Sequence, residues 1–327
     1  MPKNNSAAKK AALAGRRRRR VVNLNDIKNK QKRRQVWNLR KIDTKKRAKN
    51  AYLRRKRLRN KHGFHRSPYV IHTQESKRIP DETIIKGYDK EIEGEHKMDE
   101  FSQHFEGTIQ PKICITTSMG WPYKGTYDII NELLDVFPDA KYYRRRKFTI
   151  KSIIKQAIKK GFTSVIVLNQ DKNNRGYKGY CRGVHKLLHV SLPNGPTAFY
   201  RITNIKLRKQ IYRGSVSTGH RPELILSNFQ TRLGVRLGRM LATMFDTRAE
   251  FRGRQVVTFR NQRDFIFFRR HRYLFTDEGN QCELQELGPR FTLKLIYLHE
   301  GLFDPKKAEY EWKWNEDMGL HKLKWYN

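Results

Sequence analysis

The chain has 327 residues, with 71 lysines or arginines against 31 aspartates or glutamates, so its formal net charge is +40. Such an excess destabilises a compact state by self-repulsion, which argues against an ordinary metabolic enzyme and favours a polyanionic partner such as nucleic acid. No apolar run approaches the roughly 20 residues that span a bilayer, so no membrane partner is expected. Three isolated cysteines fit neither a disulfide framework nor a four-cysteine zinc site.

The N-terminal segment carries more than half of the excess charge. Residues 1–61 hold 25 lysines or arginines and two acids, and their apolar residues are too sparse to form a core face. We therefore predict a basic arm over 1–61 that is disordered alone and largely helical on RNA, with Asp26 as a helix N-cap. A solvated tail that only directs nuclear import is the alternative. The predicted RNA contacts of the arm are Arg16, Arg17, Arg18, Arg19, Arg20, Lys32, Arg33, Arg34, Lys45, Lys46, Arg47, Arg54, Arg55, Lys56 and Arg57.

The next segment reverses the sign of the charge. Between residues 75 and 106 there are ten acids and five bases, without a helical or strand periodicity. We predict an acidic linker over 62–107. A simple solvated connector and a shield that covers the basic arm before RNA binds are both open interpretations.

From residue 108 the pattern of apolar residues becomes that of an α/β protein. The predicted elements are, in chain order, a strand at 112–117, a helix at 126–137, a strand at 141–143, a helix at 149–160 and a strand at 164–169. Gly161 is predicted to end the second helix at its C′ position. Strands that alternate with helices of 10–12 residues indicate an α/β layer.

Strands at 187–192 and 197–202 flank Asn194-Gly195, which predicts a hairpin at the end of the first half. A second half repeats the order, with a strand at 223–227, a helix at 231–245 and mostly strand from Gln255 onward. The predicted fold class is therefore α/β with two similar halves, at about 108–205 and 220–312. A C-terminal tail over 313–327 completes the chain.

No catalytic, cofactor or metal site is predicted. The loop at 120–126 has the glycine spacing of a phosphate-binding loop, but it lacks the lysine before Thr126, and Pro122 removes a backbone N–H. A tight turn is the better interpretation, and nucleotide hydrolysis is the alternative. Cys181, His185 and His189 have a metal-like spacing, but on one helix the outer pair would lie about 12 Å apart, too far for one ion.

The second set of predicted RNA contacts lies in the two halves. One basic cluster precedes a helix in the first half, a basic stripe follows one side of the helix at 231–245, and further arginines surround the aromatic strand at 265–268. A solvated helix face is the alternative for the stripe, and core packing is favoured over base stacking for at least half of the aromatic residues. The predicted residues are Arg144, Arg145, Arg146, Lys147, Arg232, Arg236, Arg239, Arg254, Arg269, Arg270 and Arg272.

Four segments between residues 113 and 291 resemble the Brix domain. They are ICITTS at 113–118, LPNGPTA at 192–198, LSNFQTRLG at 226–234 and ELGPRF at 286–291. Within that family, the run at 259–273, the basic segment at 27–34 and the residues at 303–304 and 309–312 are similar to one branch. Residues 171–190 look longer and more glycine-rich than the usual connector of the family.

The resemblance implies a Brix domain of two similar α/β halves over 108–312. It also implies a non-catalytic nucleolar assembly factor of the large (60S) ribosomal subunit, which binds pre-rRNA and acts as a scaffold in rRNA processing. The implied partners are a MAK-sixteen-type protein in a heterodimer, other pre-60S assembly factors and ribosomal proteins. A Brix protein of the small-subunit processome, a nucleotide-dependent remodeller and a protein-only adaptor are the alternatives.

Overall fold

The computed structural model describes residues 23–62, 73–79, 82–85, 90–170, 183–276, 279, 281–304, 309–319 and 323–326. The predicted contacts Arg16, Arg17, Arg18, Arg19 and Arg20 lie outside these ranges. The chain forms two compact units, Met1–Ile71 and His72–Asn327. In the described part of the chain, no helix combines the length and the apolar character that a membrane span requires.

The described part of the first unit contains one long helix, α1, over Lys30–His62. The sequence favours it because helix formers dominate and neither proline nor glycine interrupts them. Asn29 is its N-cap: its Oδ1 accepts from the backbone N–H of Gln31 at 2.9 Å and of Lys32 at 3.1 Å. The prediction of Asp26 as the cap is wrong, because Asp26 ends a separate 3₁₀ turn over Leu24–Asp26.

In its described residues, the second unit is built on one sheet of eleven strands. Its first half runs α2 (Lys90–Met98), α3 (Ser102–Phe105), β1 (Ile113–Thr117), α4 (Lys124–Val136), β2 (Ala140–Tyr142), α5 (Ile150–Lys159), β3 (Ser164–Gln170), β4 (Val184–Ser191) and β5 (Thr197–Lys206). The predicted strands and helices from 112 to 202 are confirmed to within a few residues. Gly161 has φ +67°, the left-handed conformation predicted for the residue that ends α5.

The second half repeats the strand–helix–strand order. It runs β6 (Glu223–Ser227), α6 (Arg232–Ala242), β7 (Gln255–Gln262), β8 (Phe265–Thr276), β9 (Gln281–Glu286), β10 (Arg290–His299) and β11 (Tyr310–Lys313). Further 3₁₀ turns in the described residues lie at Arg208–Gln210, Phe251–Gly253 and Glu316–Gly319.

The sheet order shows that the two halves share one scheme. The order is β2-β1-β3-β4-β5-β10-β8-β7-β6, with β11 on β10 and β9 on β8. β1 is parallel to β3, which is followed by antiparallel β4 and β5. Equally, β6 is parallel to β7, which is followed by antiparallel β8 and β10. The antiparallel pair β5–β10 joins the halves, so the predicted duplication is confirmed.

Helices cover both faces of the sheet. Ile113 and Ile115 of β1 join the larger core, to which α4 and α6 contribute. Cys114 lies between them in sequence and points to the other face, where Ile154 and Ala157 of α5 pack. The chain therefore leaves β1 toward one face and leaves β2 toward the opposite face.

Part of the segment predicted to be an acidic linker packs against the second unit. α2 buries Ile92, and Phe101 and His104 at α3 are also buried. These apolar anchors are too widely spaced to give a visible period in the sequence. Residues 90–106 are therefore an ordered part of this unit.

Candidate nucleic-acid interface

The predicted arm cations that the structure describes lie on α1 and point to solvent. The described ones, at positions 32–34, 45–47 and 54–57, are all exposed. The helix holds 16 lysines or arginines and one acid, and its 33 residues rise about 50 Å. Since Trp37 and Leu39 are also exposed, α1 is a rod of positive charge with no buried apolar stripe among its residues 30–57.

The arginine stripe on α6 is neutralised by acids of the same chain. Arg239 Nε donates to Asp99 Oδ2 at 2.6 Å, and its Nη2 donates to Asp99 Oδ1 at 2.8 Å. Arg236 donates to both carboxylate oxygens of Glu311 at 2.7 Å and lies 3.3 Å from Glu100. These guanidinium groups already have carboxylate partners in a fork geometry, so they are not free cations.

Two more ion pairs extend this pattern. Arg232 Nη2 lies 3.8 Å from Glu91, and Arg263 Nη2 lies 2.6 Å from Glu75. Carboxylates therefore neutralise Arg236 and Arg239, whereas Arg232 remains exposed, and contact of this stripe with RNA stays a prediction. The stripe binds the acidic segment that the sequence predicted as a linker.

Arg270 belongs to the core. Its side chain is 1% exposed, and Nη2 donates to Gln255 Oε1 at 2.6 Å and to Ser217 Oγ at 2.5 Å. Burial lowers the pKa of this guanidinium to about 10. The prediction that Arg270 binds RNA is wrong, because no phosphate reaches it in the folded chain.

The other predicted arginines of the second half differ in exposure. Arg269 is half-buried and donates to the Phe268 carbonyl at 2.8 Å. Arg254 and Arg272 line a groove of about 860 Å³ beside the β8–β9 hairpin. Tyr212 also lines it, with the Arg213 guanidinium 5.2 Å from its ring centre, a contact that the sequence analysis missed.

The basic cluster of the first half is exposed and contacts an aromatic residue. Arg144, Arg146 and Lys147 are exposed, while Arg145 is half-buried and donates from Nε to the Phe148 carbonyl at 3.0 Å. The guanidinium carbon of Arg144 lies 3.7 Å from the ring centre of Trp121, which is 77% exposed. Trp121 is not among the predicted contacts, although a tryptophan within a polar loop is a usable signal in the sequence.

The loop at 120–126 is closed by Gln170 of β3. Gln170 Oε1 accepts from the Thr126 hydroxyl at 2.9 Å and from the Tyr123 N–H at 3.1 Å. Its Nε2 donates to the Trp121 carbonyl at 2.9 Å. The hydroxyl that a phosphate-binding loop would offer is therefore buried and occupied, as expected for a tight turn.

The metal-like residues do not converge in the described part of the chain. His189 is fully buried, with Nε2 3.4 Å from Ser164 Oγ, and burial lowers its pKa to about 4. Cys181 lies outside the described residues. Among the described residues, no group of three His, Cys, Asp or Glu side chains could hold a metal ion.

The fold and its surfaces define a basic, duplicated α/β protein with arginine–aromatic contacts suited to a polyanionic chain. Residues 123–297 match the Brix domain. The chain belongs to the Brix-domain family, and the branch that its motifs resemble is that of ribosome production factor 1.

Its relatives support this assignment. Ribosome production factor 1 of Rattus norvegicus is 42% identical over 291 residues, which are 88% of this chain and 81% of the relative. Probable ribosome production factor 1 of Drosophila melanogaster is 44% identical over 80% of this chain, which spans 64% of that relative's length. A solved structure of a probable ribosomal biogenesis protein from Aeropyrum pernix K1 covers 61% of this chain with a TM-score of 0.41 and 12% identity, a likeness too weak to carry an argument.

Proposed function

We propose that the chain is a ribosome biogenesis factor that binds pre-rRNA and works without catalysis as a scaffold for the large (60S) subunit. The family and the names of its relatives support a role in ribosome production. The observation that carries RNA binding is the α1 rod, whose predicted and described cations are all exposed. A rod of this charge density neutralises phosphates along its length and releases their counter-ions.

The salt dependence of binding tests this proposal. Neutralising six to ten phosphates predicts about a 10³–10⁵-fold loss of RNA affinity between 50 and 200 mM salt. Deleting residues 1–61 should lower the slope of log affinity against log salt, while circular dichroism shows that the second unit stays folded. An unchanged slope after this deletion would reject the arm as a binding element.

A finer variant separates charge from helix content. Glutamine at 45–47 and 54–57 removes seven cations and keeps good helix formers. If half of these positions contact phosphates, the slope falls by about 3, at roughly 0.9 for each contact. The matched control places alanine at two exposed apolar positions of α1, Leu39 and Ile42, and keeps every charge.

The partner and the location are part of the same proposal. In the nucleolus, the chain pairs with a MAK-sixteen-type protein and joins other pre-60S factors and ribosomal proteins. Affinity purification of the chain should recover the MAK-sixteen-type protein in an equimolar amount, together with RNA precursors of the large subunit. Recovery of small-subunit precursors instead would favour the processome alternative.

Two other classes of function predict different results. A nucleotide-dependent remodeller needs the 120–126 loop, yet the Thr126 hydroxyl donates to Gln170. ATP turnover that Thr126→Ala abolishes would overturn the non-catalytic proposal. A protein-only adaptor predicts no RNA crosslinks in cells, whereas the RNA scaffold predicts crosslinks to α1.

A further inference from the structure

A cavity of about 350 Å³ lies between β1, α5 and the loop that follows β2. We call it the β1–α5 cavity. Its volume is at the lower end of the range for small-molecule sites, which suits a group of nucleotide size. Arg144 belongs to its lining and also stacks on Trp121, so the exposed tryptophan lies next to the cavity.

The topology of the first half places the cavity on the face of the sheet that α5 covers. β1 is the middle strand of the parallel set β2-β1-β3, and the chain leaves β1 and β2 toward opposite faces of the sheet. The lining residues 144–146 and 148 follow the carboxyl end of β2, whereas Lys160 and Phe162 lie between α5 and β3. The cavity therefore extends along α5 on one face of the sheet.

The chemistry of the lining selects an anionic, aromatic ligand. Four cations at 144–146 and 160 line the cavity, and none of the described lining residues is acidic. The half-buried Arg145 donates to the Phe148 carbonyl, and burial lowers its pKa. Tyr143, Phe148 and Phe162 supply aromatic surface, and Phe148 is half-exposed at 50%.

Thr116 contributes a buried hydroxyl-bearing side chain to the cavity wall. Its side chain is fully buried and lines the cavity. Among the described residues, its Oγ1 has no hydrogen-bond partner. Since buried hydroxyls are almost always paired, a polar ligand atom in the cavity would satisfy this one.

We propose that the β1–α5 cavity binds one unpaired nucleotide, with the base on the aromatic wall and the phosphate at the arginines. The ligand chemistry is a nucleoside monophosphate unit, supplied by a single-stranded RNA segment or by a free nucleotide. A duplex does not fit, because its bases are stacked and paired, whereas unpaired bases can splay onto aromatic side chains. Binding of a nucleotide that belongs to RNA rests on the proposed function. It adds to that function a site that distinguishes single-stranded from duplex RNA.

Two cavity variants and one matched control test the proposal with the full chain. Phe148→Ala removes an aromatic wall and should weaken binding of a 12-nucleotide single-stranded RNA about tenfold. Thr116→Val removes only the hydroxyl and should weaken it about fivefold. Phe275→Ala truncates an exposed aromatic residue of β8 outside the cavity and should change nothing. Each variant should keep the affinity of duplex RNA within about twofold, and circular dichroism checks its fold.

Photocrosslinking supplies a second readout. A single-stranded RNA with 4-thiouridine should crosslink to peptides within 143–162, and excess duplex RNA should not compete this signal away. Unchanged single-strand affinity in both cavity variants, or crosslinks confined to α1, would overturn the cavity proposal and leave the RNA scaffold intact.

Titration with the four free nucleoside monophosphates distinguishes the two sources. A response that Phe148→Ala removes, in a chain that binds no RNA, would support a free-nucleotide site and reject the proposed function. If the chain binds RNA, but the cavity variants change neither its affinity for single-stranded RNA nor its response to mononucleotides, the β1–α5 cavity is not a nucleotide site.

Discussion

Replacing His189 with glutamine should make the stability of the protein less sensitive to acid. His189 lies on β4, fully buried, and burial lowers its pKa from 6.5 to about 4. Between these values the unfolded chain binds a proton that the folded chain excludes, so stability is complete above about pH 6.5 and is lost as the pH falls toward 4. A shift of this size corresponds to about 3 kcal/mol, at roughly 1.4 kcal/mol per pH unit.

Urea unfolding between pH 7.5 and 4.5 measures this effect. The wild type should lose up to about 3 kcal/mol more than His189→Gln over that range. His104, His271 and His299 also have pKa values lowered by burial, but they remain in both proteins, so the difference isolates His189. If the free energy of unfolding of the two proteins changes with pH in parallel, the argument that His189 stays neutral when buried is refuted.

Three further substitutions test single contacts. Alanine at Asp99 and Arg239, alone and together, should give a coupling energy of about 1–3 kcal/mol in a double-mutant cycle, because their bidentate pair is largely shielded from solvent. Arg270→Met should lower the free energy of unfolding by about 1–3 kcal/mol, since it strands buried hydrogen-bond partners, and leave RNA affinity within about twofold. Asn29→Ala should raise amide exchange in the first turn of α1 about fivefold, as expected for a lost N-cap.

Local patterns predicted the elements of the second unit. The apolar stripes of α4 and α5, the glycine after α5 and the Asn194-Gly195 turn depend on neighbours within a few residues, which sequence displays directly. The cap of α1 was misassigned because Asp26 and Asn29 are both good caps, and only the hydrogen bonds to Asn29 decide between them.

The fate of the charged residues depended on long-range contacts. Asp99 and Arg239 are 140 residues apart, so no local pattern reveals that one neutralises the other. Arg270 was different: Ile266 and Phe268 precede it at alternate positions of β8, and all three are buried. The period of two along the strand was therefore a signal for burial, which the high local arginine content obscured.

The pairing of β5 with β10 has a consequence for synthesis of the chain. β5 ends at Lys206, and β10 begins at Arg290, so β5 presents a bare edge while the intervening 83 residues emerge. An unpaired edge is a template for wrong strand pairing. Even when the first half is fully translated, the edge of β5 stays unpaired until β10 has been synthesised. A truncation before residue 290 leaves β5 and β8 each with an unpaired edge.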